Sequence, residues 1–255
     1  INMVDGMDVN IMTFVRQALQ DDWQVPDETM GGVFSAGLLG MGLGALLIAP
    51  LADRFGRKRI IMAALALMSG GMIACGHVSS LGALVTARVV VGLGIGTVLA
   101  AMAALASESA PARDQNMAVG IVQAGFPLAA VFTGFAVAAL LKSFHWQELL
   151  QWAGWLTVLM LPIAWHVLPA HDAVMAQEKP RVRISELFFP GLRHRTLWLW
   201  AAIFCGLMVL YFILSWITKL SIQAGLSETN SIYAGAIYNF GAFMGTMMMS
   251  WLTVR

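Results

Sequence analysis

Charge is what this chain has least of. Asp, Glu, Lys and Arg make up 11% of its 255 residues, under half the roughly 25% of a soluble domain. Hydrophobic residues reach 59% and the mean hydropathy is +0.75, so polar surface is too scarce to cover a globule in water. That shortage excludes a soluble enzyme, a nucleic-acid-binding domain and a disordered segment, and assigns the chain to lipid. The net charge of +1 offers no field that would steer it toward an acidic partner. Cysteine is nearly missing: Cys75 and Cys205 stand alone in apolar stretches without metal or redox spacing, and both read as inert packing. The opening residues do not read as a cleavable signal peptide, because their apolar run already contains Asp5 and Asp8. His77, His145, His166, His171 and His194 all fall at the ends of apolar runs or between them. No ligand cluster or nucleophile–base pair forms at mid-depth, so neither a catalytic centre, a metal nor a cofactor is expected.

Long apolar runs are what the chain has instead. A membrane-crossing helix needs about 20 mostly apolar residues, and the sequence predicts eight: 1–18, 30–52, 60–78, 81–106, 117–141, 149–168, 197–219 and 231–253. The one long polar stretch, 169–195, reads as a linker between a bundle at 1–168 and the start of a second bundle at 196–255. If the first span runs outward, eleven of the fifteen basic residues fall inside: Arg54, Arg57, Lys58, Arg59, Arg113, Lys179, Arg181, Arg183, Arg193, Arg195 and Arg255. Arg16, Lys142 and Lys219 remain outside, and Arg88 lies within a span. This asymmetry puts the linker in the cytoplasm. Trp23, Trp146 and Trp198 fall near span ends, where interfacial anchoring accounts for them.

An internal repeat joins the two bundles. Gly40-x-x-x-Gly44 in the second span matches Gly241-x-x-x-Gly245 in the eighth, and Leu51 and Arg54 then align with Leu252 and Arg255. Repeated halves are typical of secondary transporters, whose substrate site lies between them at the bilayer midplane. A second half of two spans cannot mirror a first half of six. The repeat therefore implies about four further helices beyond residue 255 and a clipped start, with a purified mass well above 27.5 kDa.

Four groups of residues sharpen this. Gly44-x8-Asp53-Arg54-Phe55-Gly56-Arg57-Lys58-Arg59 resembles the signature loop of the major facilitator superfamily. Gly44 permits close helix approach and Gly56 a tight turn. Arg88-x-x-x-Gly92-x-Gly94-x-Gly96 resembles that superfamily's fourth helix. Gly92 and Gly96 share a face suited to close packing, while an arginine inside a membrane is costly and marks a pathway. No strand precedes these glycines and no acidic ribose ligand follows, so they are not a nucleotide fingerprint. Ser107-Glu108-x-x-Pro111-x-Arg113 ends the fourth span. Glu108 lies about 30 Å along the helix from Arg88, so the two belong to opposite ends. The resemblance implies a cytoplasmic gate of Gly44, Asp53, Arg54, Gly56, Arg57, Glu108 and Arg113, although Val254 stands where the repeat would need a second aspartate.

Last, Asp5-Gly6-Met7-Asp8 places two acids on one face of the first span. It resembles the first helix of the aromatic acid:proton symporters within the superfamily. Leu210-Tyr211-Phe212-Ile213-Leu214-Ser215-Trp216 and Ala224-Gly225-Leu226-Ser227 are similar to that family's seventh helix. The resemblance implies an all-α major facilitator fold and proton-coupled import of small aromatic carboxylates by alternating access. It further implies a multi-pass protein of the bacterial inner membrane that acts as a monomer of the full-length chain, with the lipid bilayer, protons and the substrate as partners and no nucleic acid. Uptake of an anion into a negative interior needs a titratable carboxyl group near the midplane. Asp8 lies about 15 Å in from the outer end of the first span. Asp8 assisted by Asp5 is the expected proton carrier, and Arg88 the positive charge that holds Asp8 or receives the substrate. An aromatic ring stacks on aromatic walls, and Gln123, Phe126, Tyr211, Ser215, Trp216, Tyr238 and Asn239 are the candidate wall, with Arg88 binding the carboxylate. Symport of sugar acids, sialic-acid-like substrates or other organic anions remains open beside this reading. More remote are an intramembrane enzyme and a non-transporting receptor.

Overall fold

The structure, a computed structural model, describes residues 1–169, 189 and 191–253. Among them every regular element is a helix, in keeping with a chain whose polar backbone must be satisfied internally in lipid. The basic stretch with Lys179, Arg181 and Arg183, and the repeat positions Val254 and Arg255, lie outside the described residues.

The first predicted span is one rod in two pieces, α1 (Asn2–Phe14) and α2 (Arg16–Trp23). Val15 between them sits at φ −87°, ψ 0°, a slight break. The helical ladder continues across it through Val15 N–H to the Ile11 carbonyl and Leu19 N–H to the Val15 carbonyl. The rod therefore runs five residues past its expected end at 18, stopping where Gln24 turns left-handed ahead of Pro26. The second span is α3 (Asp27–Leu43), a π-helical turn (Gly44–Ile48), a 3₁₀ turn (Ala49–Leu51) and α4 (Ala52–Phe55). Pro50 has no N–H to give the ladder, so the helix widens before it and tightens around it. Gly56 at φ 95° makes the turn into α5 (Arg57–Cys75), a conformation that side chains resist.

Then follow α6 (Leu81–Ser109), α7 (Gln115–Leu140), α8 (Trp146–Val167), α9 (Arg193–Gln223) and α10 (Glu228–Leu252). Ser80 caps α6 and Ser227 caps α10, each hydroxyl accepting a backbone N–H of the first turn. Arg193 and Arg195, grouped with the linker on sequence, form the first turn of α9. The stretches 27–55, 57–75, 81–109, 115–140 and 193–223 are long and apolar enough to cross a membrane. The rods at 2–23, 146–167 and 228–252 are more polar, yet at about 33 Å or more they have the length.

Helix α6 is the hub, with α3 on one side and α5 on the other; α8 packs on α5, α7 on α1, and α10 on α7. Its contact with α3 is made by backbone. A Cβ at Gly40 would fall on the Val89 carbonyl, one at Gly44 on the Leu93 carbonyl, one at Gly92 on the Gly37 carbonyl and one at Gly96 on the Met41 carbonyl. The Thr97 hydroxyl completes the seam by donating to the Gly44 carbonyl at 3.2 Å. The repeat partners Gly241 and Gly245 face open space among the described residues. Helix α9 touches mainly α10 and α1, and leaves Trp198, Phe204, Met208 and Phe212 exposed. An apolar face of this extent suits lipid or further helices, not water. Cys75 is buried as expected, but Cys205 is exposed on this face among the described residues.

The seam yields a test. A Gly96→Val change forces two backbones apart, and overpacking of this kind costs about 1–3 kcal/mol or more. The purified variant should unfold several degrees lower on heating. A Gly42→Val control, whose Cβ meets nothing within 4 Å, should unfold with the parent.

Candidate functional site

The middle of the bundle holds ionisable side chains without close polar partners. Asp5 and Asp8, one turn apart on α1, have no exposed surface, and all four carboxylate oxygens lack a hydrogen-bond partner. Arg88 of α6 is 4% exposed, and its Nε is also unpartnered. Its Nη1 donates to the Met72 sulfur at 3.7 Å, and the guanidinium meets the Cys75 thiol. Asp5 and Arg88 both act on Asp8 through their charge, but among the described residues no ion pair joins them. Burying an ionised group without a partner costs several kcal/mol, so this cluster does not add to stability.

A small cavity of about 20 Å³ opens beside it, bounded by α1, α3, α6 and α9. Thr13, Phe34, Arg88, Tyr211 and Ser215 are on its wall. Its size suits about one water, and its wall carries a guanidinium, two aromatic rings and hydroxyls. Of the residues singled out on sequence, Arg88, Tyr211 and Ser215 meet here. The others lie elsewhere. Gln123 accepts a hydrogen bond from Asn2 at 3.0 Å, and Asn239 donates to the Asn10 side chain at 3.4 Å, both ties between helices. The Phe126 carbonyl fills the space a Cβ at Gly6 would need, which holds α7 tightly on α1. Tyr238 is half-buried on α10, and the Trp216 ring covers the Arg16 guanidinium at 4.0 Å.

At one end of the molecule Arg57 ties three elements together. Its Nη2 donates to Glu108 Oε1 of α6 at 2.7 Å and to Asp53 Oδ1 of α4 at 3.1 Å. Gly56 aims α5 so that Arg57 can reach both. Arg54 lies over the Phe55 ring instead, and Arg113 is exposed without an ion pair among the described residues. Glu108 and Arg88 are kept apart by the length of α6, as the spacing requires.

At the other end is a cluster that sequence reasoning missed. Arg16, grouped on sequence with cations outside the membrane, is a buried residue whose side chain is 2% exposed. Its Nη2 donates to Asp27 Oδ1 of α3 at 3.1 Å, and its Nε donates to Gln20 at 3.2 Å. Nη1 donates to the Ser215 carbonyl of α9 at 3.4 Å. Lys219 of α9 takes the second Asp27 oxygen at 3.1 Å, and Gln20 donates to the first at 2.9 Å. The available signal was an arginine inside a predicted span with an acid eleven residues on. It was outweighed because long cations near span ends are common.

Comparisons with known proteins agree on one family. A family model described as Major Facilitator Superfamily matches residues 1–255. The 4-hydroxybenzoate transporter PcaK of Acinetobacter baylyi is 28% identical over 290 residues, covering 100% of this chain and 64% of that protein. The 3-(3-hydroxy-phenyl)propionate transporter of Escherichia coli is 31% identical over 250 residues, covering 98% of this chain and 62% of that protein. The chain thus spans a little under two thirds of the relatives it matches. Among solved structures, a D-xylose-proton symporter superposes with a TM-score of 0.69 at 15% identity, over 95% of this chain and 64% of that one. That likeness is one of fold.

The Arg57 cluster predicts a stability difference. Arg57→Gln removes both ion pairs of a largely buried guanidinium, a loss of about 1 kcal/mol, whereas Arg54→Gln removes none. Thermal unfolding of the two purified variants should show a drop of a few degrees for the first alone.

Proposed function

Given that the chain belongs to the major facilitator superfamily, we propose that it acts in proton-coupled import of small aromatic carboxylates by alternating access. The observation that carries this reading is the buried trio Asp5, Asp8 and Arg88 beside a cavity walled by Phe34 and Tyr211. The matched relatives support the substrate class, since each of the two is named as a transporter of an aromatic acid.

The roles follow from the chemistry. Arg88 receives the carboxylate, because a guanidinium with free donors in a dry site binds it by charge-assisted hydrogen bonds. Tyr211 and Phe34 flank the ring, and Ser215 offers a hydroxyl to a ring substituent. Asp8 takes the proton and Asp5, one turn nearer the helix start, passes it on. A proton bound at Asp8 leaves Arg88 free for the anion; its release restores the attraction between the two side chains and displaces the substrate. One charge thus exchanges for another at the same guanidinium, which couples the two fluxes. The basic residues put the Arg57 end in the cytoplasm of a bacterial inner membrane, where Arg57, Asp53 and Glu108, with Gly44 and Gly56 setting the geometry, form the inner gate. A single full-length chain contains the whole path.

Two variants of the full-length protein in proteoliposomes test the assignment. Asp8→Asn should abolish accumulation of labelled 4-hydroxybenzoate driven by an imposed pH gradient while leaving substrate exchange across the membrane. Accumulation that survives the change would remove Asp8 from the mechanism. Arg88→Gln should weaken substrate binding tenfold or more, since a hydrogen bond to a charged group is worth about 1.5–3 kcal/mol. Competition by benzoate but not by sugar acids is expected, and the reverse would transfer the protein to another substrate class.

A further inference from the structure

Asp27 is the shared acceptor of two cations that come from different parts of the chain. Arg16 belongs to the rod formed by α1 and α2, and Lys219 to α9, 203 positions later. Each takes its own carboxylate oxygen at 3.1 Å. Helix α9 adds two neutral contacts on Arg16, the Ser215 carbonyl and the Trp216 ring, while the Thr218 hydroxyl donates to the Thr13 carbonyl at 3.3 Å. Phe34 of α3 approaches the guanidinium from a further side, 5.6 Å from its ring centroid. These contacts lie at the opposite end of α3 from Asp53, roughly 40 Å away along the rod. Thr13, Phe34 and Ser215 also belong to the wall of the cavity that holds Arg88. The cluster therefore adjoins that cavity, through residues that belong to both.

We propose that Arg16, Asp27 and Lys219 are the outer gate of the transport path, with Asp27 as the latch that holds α9 over the cavity. The proposal rests on the alternating-access reading but not on the identity of the substrate. The physical argument turns on Arg16. Its burial depends on α9 lying across it, and a buried guanidinium is tolerated when a carboxylate balances it. With Asp27 present, the closed arrangement satisfies the charge. Without it, Arg16 keeps neutral acceptors alone, and the arrangement that favours it is the one in which α9 swings away and water reaches it. Lys219 is partly exposed, at 20%, and so is Asp27, at 42%. Their direct attraction is accordingly a small part of the latch, and Arg16 the larger. The three are positioning residues, since none of them is placed against the substrate.

Side-specific labelling tests this without any substrate. In the full-length protein, with Cys75 and Cys205 replaced by Ser, a Ser215→Cys reporter is exposed to a membrane-impermeant maleimide from the outer side of right-side-out vesicles. Asp27→Asn should speed labelling about tenfold, within the range of coupling between two conformations. Lys219→Gln should speed it by a smaller factor, and Asp27→Glu, which keeps the charge, should label as slowly as the parent. Equal labelling of all variants after denaturation controls for the reporter. If Asp27→Asn folds and labels at the parent rate, Asp27 is no latch; if it does not fold, an unchanged rate in Lys219→Gln overturns the proposal equally. Failure of aromatic acids to be transported would leave these rates untouched, so the two readings fail separately.

Discussion

Two helix backbones in direct contact set the geometry of the rest. Where Gly40 of α3 and Gly44 of the turn after it meet Gly92 and Gly96 of α6, backbone lies against backbone, and neither helix can slide or rotate without breaking many close contacts at once. Each of these helices carries chemistry at both of its ends. Helix α6 bears Arg88 one turn before the seam and Glu108 beyond it; α3 bears Asp27 at its start, and the rod it begins reaches Asp53. Locking the two rods at their middles fixes all four charges in height. A single packing motif thus registers the cavity, the Arg57 cluster and the Arg16 cluster against one another.

The charges divide into two kinds on that frame. Arg57, Asp53 and Glu108 at one end, and Arg16, Asp27 and Lys219 at the other, each have an oppositely charged partner within 3.1 Å, and these clusters hold helices together. Around Asp8 the charges are buried and unpaired. A fold that kept only its stability would not retain such a group, because a well-packed apolar side chain in its place is cheaper. The contrast separates the residues that tie helices together from those that are left without a close partner. It also explains where α9, which is otherwise loosely attached, is tied down: its Trp216 and Ser215 close over Arg16 of α2, and its Lys219 pairs with Asp27 of α3.

Much of this was legible beforehand. Crossing hydrocarbon requires about 20 apolar residues, so the eight helices stand out by length, with errors at their ends. The rod from α1 ran to Trp23 because the ladder passed through Val15, and a few polar residues at 16–23 do not stop a helix. Gly56 was readable as a turn, Gly92 and Gly96 as a packing face, and Arg88 as a costly residue with a purpose. Wall residues were less legible. Tyr211 and Ser215 reach the cavity while Gln123 and Asn239 tie helices together, and polarity alone does not distinguish a polar group facing a path from one facing a neighbour. The partners of Arg16 were hidden for a related reason: one of them, the Ser215 carbonyl, belongs to α9, 199 positions away.

The sequence by itself determined that this chain is made for a membrane, where its apolar helices lie, and which acids and arginine fall inside them. These properties are local: they depend on runs of residues and on the cost of charge in hydrocarbon. Only the tertiary structure decided which charges are paired. Whether Arg57 answers to Glu108, whether Asp27 holds two cations, and whether Arg88 is left facing a cavity are settled by distances between helices remote in the chain. Pairing energy falls away within a few ångströms of contact, so no pattern of residues along one helix can reveal it.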